Sequence, residues 1–132
     1  MSMNGRPVIM VVEDDVEMNQ LERELLGLHG MDSVAAYTGT QAVEASERQS
    51  ADAVLLDVML PEMDGFETCC QLRKRPGARI PIVIVSALDS EDCRRRGYGV
   101  GADAYFTKPF DPDEVIHTIQ LLIEKSNHAP AH

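Results

Sequence analysis

Five positions in this sequence carry side chains that could together hold a cation and a phosphoryl group: Glu13, Asp14, Asp57, Ser86 and Lys108. Three carboxylates brought together repel one another, so their gathering calls for a proton or a cation. Oxygen donors with open positions suit Mg²⁺, which keeps several waters and pairs with phosphate oxygens. A lysine and a hydroxyl beside that metal are the parts that hold a transferring phosphoryl group. A carboxylate can itself be the nucleophile, giving an aspartyl phosphate. Taken singly, each residue has a plainer role. Glu13-Asp14 would be a solvated turn, Asp57 the N-cap of the turn after it, and Lys108 a surface lysine.

The elements that must position these residues alternate along the chain. Pro7–Val12 is a near-continuous apolar run, as a strand buried on both faces is. From about Asp15, Met18, Leu21, Leu25 and Leu28 fall at helical spacing, which predicts a core-facing stripe with Glu17, Glu22, Arg23 and Glu24 facing elsewhere. Gly30 marks the stop. Ser33–Tyr37 reads as a weaker strand, Gly39–Gln49 as a helix, and Ala53–Leu56 as a third strand ended by Asp57. Asp64 followed by Glu67 is a helix start, and Pro76-Gly77 breaks that helix after about Arg75. Pro81–Val85 is a fourth strand. Asp89 to about Arg96 is helical, but Gly97, Gly99 and Gly101 crowd its end, each glycine inside a helix costing about 1 kcal/mol relative to alanine. Ala104–Phe106 is a short fifth strand. Asp111-Pro112-Asp113-Glu114 is the clearest cap in the chain, opening a helix with an apolar stripe at Val115, Ile116, Ile119, Leu122 and Ile123.

This order predicts the doubly wound α/β class, a parallel five-stranded sheet with helices on both faces. In such a sheet ligands bind beyond the carboxyl ends of the strands. With the flavodoxin-like (βα)5 order 2-1-3-4-5, the first and third strands meet at the switch point, and Glu13, Asp14, Asp57, Ser86 and Lys108 converge on one pocket. Residues 1–6 read as an N-terminal extension, 7–125 as the one domain and 126–132 as a flexible tail.

At 132 residues the chain suits one domain. Its 12 Lys and Arg against 22 Asp and Glu leave a formal charge of −10, which opposes general nucleic-acid binding and attraction to an anionic membrane. No apolar run reaches the ~18 residues of a membrane span, and MSMNGRP lacks the apolar core of a secretion signal. Cys69, Cys70 and Cys93 show no metal-ligand or disulfide-scaffold spacing, so the expectation is reduced thiols and a cytoplasmic location. Gly97-Tyr98-Gly99-Val100-Gly101 has a nucleotide-loop look in the wrong context, after a helix and before a strand. Arg73-Lys74-Arg75 and Arg94-Arg95-Arg96 read as solvated helix ends, the second also as part of a partner surface.

The segments VVEDD, LLDVMLPEMDG, VSA and YFTKPF resemble the receiver domain of two-component response regulators, and the likeness runs from about Val8 to Lys125. The resemblance implies that Asp57 is the phosphoacceptor, that Glu13 and Asp14 serve Mg²⁺ with Asp57, and that Met59 offers its backbone carbonyl to the metal. It further implies that Ser86 bonds the phosphoryl group, that Lys108 pairs with a phosphoryl oxygen, that the Lys108–Pro109 bond is cis, and that Tyr105 is an aromatic switch that turns inward. Glu13 stands where the commonest pattern has Asp, and Ser86 where it has Thr; both keep the chemistry. The implied partners are a sensor histidine kinase or histidine phosphotransfer protein, and a downstream output domain or protein. A dimer through the face of the fourth helix, fifth strand and fifth helix is also implied. The only turnover implied is slow loss of the domain's own phosphoryl group. Two other readings are open. A haloacid-dehalogenase-like phosphatase wants a second Asp two residues after the nucleophile, where this chain has Met59. A phosphorylation-independent pseudo-receiver would not need the full acidic, hydroxyl and lysine set.

Overall fold

A computed structural model describes residues 5–74 and 79–127. Strands and helices alternate strictly: β1 (Val8–Val12), α1 (Val16–Leu28), β2 (Asp32–Ala36), α2 (Gly39–Arg48), β3 (Ala53–Asp57), α3 (Gly65–Arg73), β4 (Ile82–Ser86), α4 (Glu91–Gly99), β5 (Ala104–Thr107) and α5 (Pro112–Asn127). The sheet order is the expected β2-β1-β3-β4-β5, and every pair is parallel, as the alternation predicts.

The apolar runs of the central strands are continuous because both faces are covered. Met10, Val12, Val54, Leu56, Ile82 and Ile84 pack with Ala42 of α2 and with Phe66, Cys69 and Leu72 of α3. Ile9, Val11, Ala53, Leu55, Val83 and Val85 pack with Leu26 of α1 and with Val115, Ile116, Ile119 and Ile123 of α5. Successive side chains of a strand point to opposite faces, so alternate residues of one run feed two cores.

The caps explain the element starts. Asp15 and Asp64 accept from the Met18 and Glu67 amides at 3.0 and 2.9 Å, and Thr38 and Ser90 do the same for α2 and α4. Asp111 accepts from the Asp113 amide at 3.0 Å at the head of α5. That helix continues through Ser126 and Asn127, the first two residues of the expected tail. Helix α4 likewise runs through Gly97 to Gly99. The Pro76-Gly77 break lies outside the described residues. At the other end, Arg6 of the expected extension bonds the Gly30 and Gly27 carbonyls at 3.0 and 3.3 Å, tying it to the turn after α1.

Three expectations about surfaces fail. The buried residues of α1 are Asn19, Glu22 and Leu26, while Leu21 and Leu28 of the expected stripe are 49% and 81% exposed. Apolar spacing pointed to the wrong face because two of the three residues on the buried face are polar. Arg73 is no solvated helix end: it donates to the Gly101 carbonyl at 3.0 and 2.8 Å and to the Ile80 carbonyl at 2.6 Å, and pairs with Asp103 at 2.8 Å. Of Arg94-Arg95-Arg96 only Arg94 departs from a solvated end, half-buried over the Tyr105 ring 5.4 Å from its centroid; Arg95 and Arg96 are exposed, Arg96 4.4 Å from the Phe66 centroid.

Candidate functional site

The carboxyl ends of β1, β3 and β5 bring together a carboxylate pair and one ammonium. Asp57 is the last residue of β3 and is 5% exposed; Glu13 directly follows β1 and is 3% exposed. Lys108, just past β5, donates to Asp57 Oδ2 at 2.9 Å and to Glu13 Oε1 at 3.0 Å. The remaining oxygens are also engaged. The Met59 amide donates to Asp57 Oδ1 at 3.0 Å, and the Asp15 amide to Glu13 Oε2 at 3.3 Å. The Lys108 amide donates to the Ser86 carbonyl at 2.7 Å, and the Lys108–Pro109 bond is cis. Gly65 is required here. Its amide donates to the Val58 carbonyl at 2.8 Å, and a β-carbon would collide with the backbone of Asp57 and Val58. That close approach seats α3 against the strand end carrying Asp57.

The electrostatics follow from burying two acids around one base. Burial pushes the Glu13 carboxyl up to about 7; Asp57 adds to the rise and Lys108 opposes it. Burial works against the Lys108 ammonium, but the hydrogen bonds to Asp57 and Glu13 outweigh it, so its pKa lies above the ordinary lysine value and it stays charged.

The other expected residues divide between surface and interior. Asp14 and Met59 are exposed, Met59 at 55%. Among the described residues no three Asp, Glu, His or Cys side chains form a group placed to hold a metal ion; Lys108 joins Glu13 and Asp57. The donor chemistry still fits Mg²⁺. Every candidate ligand is oxygen, and two buried carboxylates, Glu13 and Asp57, share a single ammonium. Ser86, next along β4 after the residue paired with Asp57, is fully buried, and its Oγ accepts from the Leu88 amide at 3.1 Å. Tyr105 lies inward, 4% exposed, donating its hydroxyl to the Leu88 carbonyl at 2.7 Å. Arg94 holds it there through the ring, its carbonyl at 3.3 Å and Thr107 Oγ1 at 2.6 Å. Gly97 is the flat wall beside the ring, where a β-carbon would come within 2.8 Å of Cδ2.

Of two buried residues in this region, Asn19 carries no expectation from the sequence, and Glu22 is expected to face away from the core. Asn19 is fully buried beneath the Glu13 turn, and Glu22 is 4% exposed with its Oε2 unpartnered. Their spacing with Leu26, three and seven residues on from Asn19, is itself helical and was the available signal. Burial pushes the Glu22 carboxyl up to about 7; Glu13 and Asp57 add to the rise and Lys108 opposes it. Glu22 also lines a groove of about 420 Å³ with Met18, Leu21, Leu25, Lys108 and Phe110.

Comparison with known proteins bears on the family and the fold. The response regulator receiver domain family matches residues 9–120. The alkaline phosphatase synthesis transcriptional regulatory protein PhoP of Bacillus subtilis (strain 168) is 37% identical over 121 residues, 92% of this chain and 50% of that protein. The chain thus spans about half the length of the curated relatives it matches. Among solved structures, the Francisella response regulator 1452 receiver domain superposes with a TM-score of 0.86 at 31% identity, covering 92% of this chain and 99% of that one. The receiver domain of sensor histidine kinase PA1611 from Pseudomonas aeruginosa PAO1, solved with a magnesium ion coordinated in its active site cleft, gives 0.83 at 29% identity, covering 91% and 99%. No helix among the described residues is long and apolar enough to cross a membrane. With the sheet order agreeing with a match over most of its length, the chain belongs to the response regulator receiver domain family of two-component signalling.

Proposed function

We propose that Asp57 accepts a phosphoryl group from a phosphohistidine on a sensor histidine kinase or histidine phosphotransfer protein. The observation that carries this reading is the Lys108 ammonium shared between Asp57 and Glu13 at the carboxyl edge of the sheet. An Asp57 carboxylate oxygen attacks phosphorus. The P–O bond forms as the P–N bond breaks, and the departing imidazole takes a proton. The Met59 amide and Lys108 hold the two Asp57 oxygens in fixed directions, so the nucleophile is oriented before the donor arrives. The phosphoryl group adds about −1.5 to −2 charge at neutral pH, and Lys108 meets it as a permanent cation. Glu13, Asp14, Asp57 and the Met59 carbonyl would hold Mg²⁺, which when bound supplies positive charge against the phosphoryl oxygens.

The same hydrogen bonds suggest how the change leaves the site. Ser86 Oγ holds the Leu88 amide, and the Leu88 carbonyl holds the Tyr105 hydroxyl. Turning Ser86 toward a phosphoryl oxygen releases Leu88 and so disturbs Tyr105, which Arg94 ties to α4. The face of α4, β5 and α5 then shifts, offering a surface to an output domain, a downstream protein or a second copy. The donor's landing place is the apolar groove of Met18, Leu21, Leu25 and Phe110 beside Lys108. On this reading the chain works in the cytoplasm, does not itself touch nucleic acid or membrane, and turns over only its own phosphoryl group, slowly.

Intact mass after incubation with acetyl phosphate tests the reading. One phosphoryl group should appear with Mg²⁺, none with EDTA and none on Asp57→Asn. An unmodified parent chain in Mg²⁺, or equal labelling of Asp57→Asn, would overturn it.

A further inference from the structure

Asn19 is a polar side chain in a place that favours an apolar one. It lies in the second turn of α1, is fully buried, and faces the sheet beside Leu26. Its partners show why a polar group is kept there. The side-chain N–H₂ donates to three carbonyls: Val11 at 3.2 Å, Glu13 at 3.1 Å and Ala36 at 3.2 Å. Its Oδ1 accepts from Arg23 Nε at 2.8 Å, one helical turn on, which keeps the N–H₂ aimed at the carbonyls. The Ala36 carbonyl also receives the Glu13 amide at 3.1 Å. All three acceptors therefore belong to the ends of β1 and β2 and to the first residue of the acidic turn. None belongs to the helix that carries Asn19.

We propose that Asn19 is a positioning residue for the phosphoryl site: its amide holds the Glu13 carbonyl against the ends of β1 and β2 and so sets where the Glu13 and Asp14 carboxylates stand relative to Asp57. Glu13 lies just past the last residue of β1 in the sheet, Val12, which pairs with Ala36. Its backbone keeps one sheet-like bond, from its amide to Ala36, and Asn19 fixes the peptide from the other side. Glu13 Oε1 then meets Lys108 Nζ at 3.0 Å, the same nitrogen that Asp57 Oδ2 meets at 2.9 Å. A turn left free to shift would loosen that shared geometry. Outer groups that orient metal ligands are worth ten- to a hundred-fold in metal affinity, and the same order applies here. Arg23 acts one step further back, by holding the Asn19 amide in the donating orientation.

This inference rests on the proposed Mg²⁺ site, so the experiment separates the two. Mg²⁺ is titrated into the parent, Asn19→Ala and Arg23→Met, following the amide resonances of Glu13, Asp14 and Met59, with unfolding of each protein in EDTA measured alongside. The parent binds Mg²⁺. Asn19→Ala, at a temperature where its EDTA unfolding curve shows it fully folded, binds ten- to a hundred-fold more weakly. Arg23→Met gives a smaller loss, with stability close to the parent. A merely structural role for Asn19 would lower the unfolding midpoint and leave the affinity of the folded protein unchanged; that result overturns the inference while the Mg²⁺ site stands. Parent affinity in Arg23→Met overturns it too, if Asn19→Ala does not fold. A parent that does not bind Mg²⁺ overturns both the inference and the reading beneath it.

Discussion

Replacing Glu22 with leucine should stabilise this domain by an amount that grows with pH. Glu22 is 4% exposed among Leu25, Leu26, Leu55, Phe110 and Ile116, and its Oε2 has no hydrogen-bond partner. Burial pushes its carboxyl from the ordinary 4.5 up to about 7, with Glu13 and Asp57 adding to the rise and Lys108 opposing it. A displacement of about 2.5 pH units at 1.36 kcal/mol per unit corresponds to about 3 kcal/mol. The folded pKa lies above the unfolded one, so the folded chain binds the extra proton. Stability then falls as pH rises from about 4.5 to about 7 and stays lowered above that. Leucine removes this penalty. The advantage of Glu22→Leu over the parent should be about 3 kcal/mol larger at pH 8 than at pH 4, or about 10 °C in Tm for a chain of this size. Denaturant unfolding of both proteins at pH 4, 5, 6, 7 and 8 measures it. Glu13 titrates in both proteins and largely cancels in the difference. Parallel pH profiles for parent and variant would refute the reasoning, because they would mean that Glu22 is hydrated or paired in the folded chain.

Two further substitutions probe the site and its connection to α4. Lys108→Met leaves Asp57 and Glu13 buried without their cation, a change that costs about 3–5 kcal/mol for a broken buried pair. The loss should be fullest at pH 7–8 and shrink as the pH falls and Glu13 takes up a proton, read by chemical denaturation across pH. Gly97→Ala places a methyl group 2.8 Å from the Tyr105 ring. Overpacking of this kind costs about 1–3 kcal/mol and should expose Tyr105, detected as a changed chemical shift of a fluorine-labelled ring; an unmoved ring with unchanged stability would count against the tight packing described.

The sheet was legible because its central strands are buried on both faces and so read as unbroken apolar runs, each ending on a polar residue. Asp57, Ser86 and the Glu13 turn stood out for that reason. The family likeness and the order of elements agreed on where those ends meet. Helix α1 was misread because spacing rules assume apolar residues inside. Here Asn19 is kept by three backbone carbonyls and Glu22 lies against α5, while Leu21 and Leu28 face outward. The arginines were misread for a related cause. A guanidinium at a helix end is solvated only if no carbonyl or ring is within reach, and that depends on contacts across the fold: Arg73 finds Ile80 and Gly101, and Arg94 finds Tyr105 and Thr107. Tyr105 was expected to turn inward on switching and already lies inward, since Gly97 leaves it room and Leu88 accepts its hydroxyl.

The most direct measurement is chemical trapping of the phosphorylated residue. Borohydride reduces an acyl phosphate to the alcohol, so an aspartyl phosphate becomes homoserine and can be located by peptide mass spectrometry. After phosphorylation in Mg²⁺, reduction should place homoserine at position 57 and at no other aspartate, with none in EDTA. Homoserine at Asp14 or Asp15, or its absence from position 57 in a chain that has taken up phosphate, would contradict the assignment of Asp57 as the phosphoacceptor.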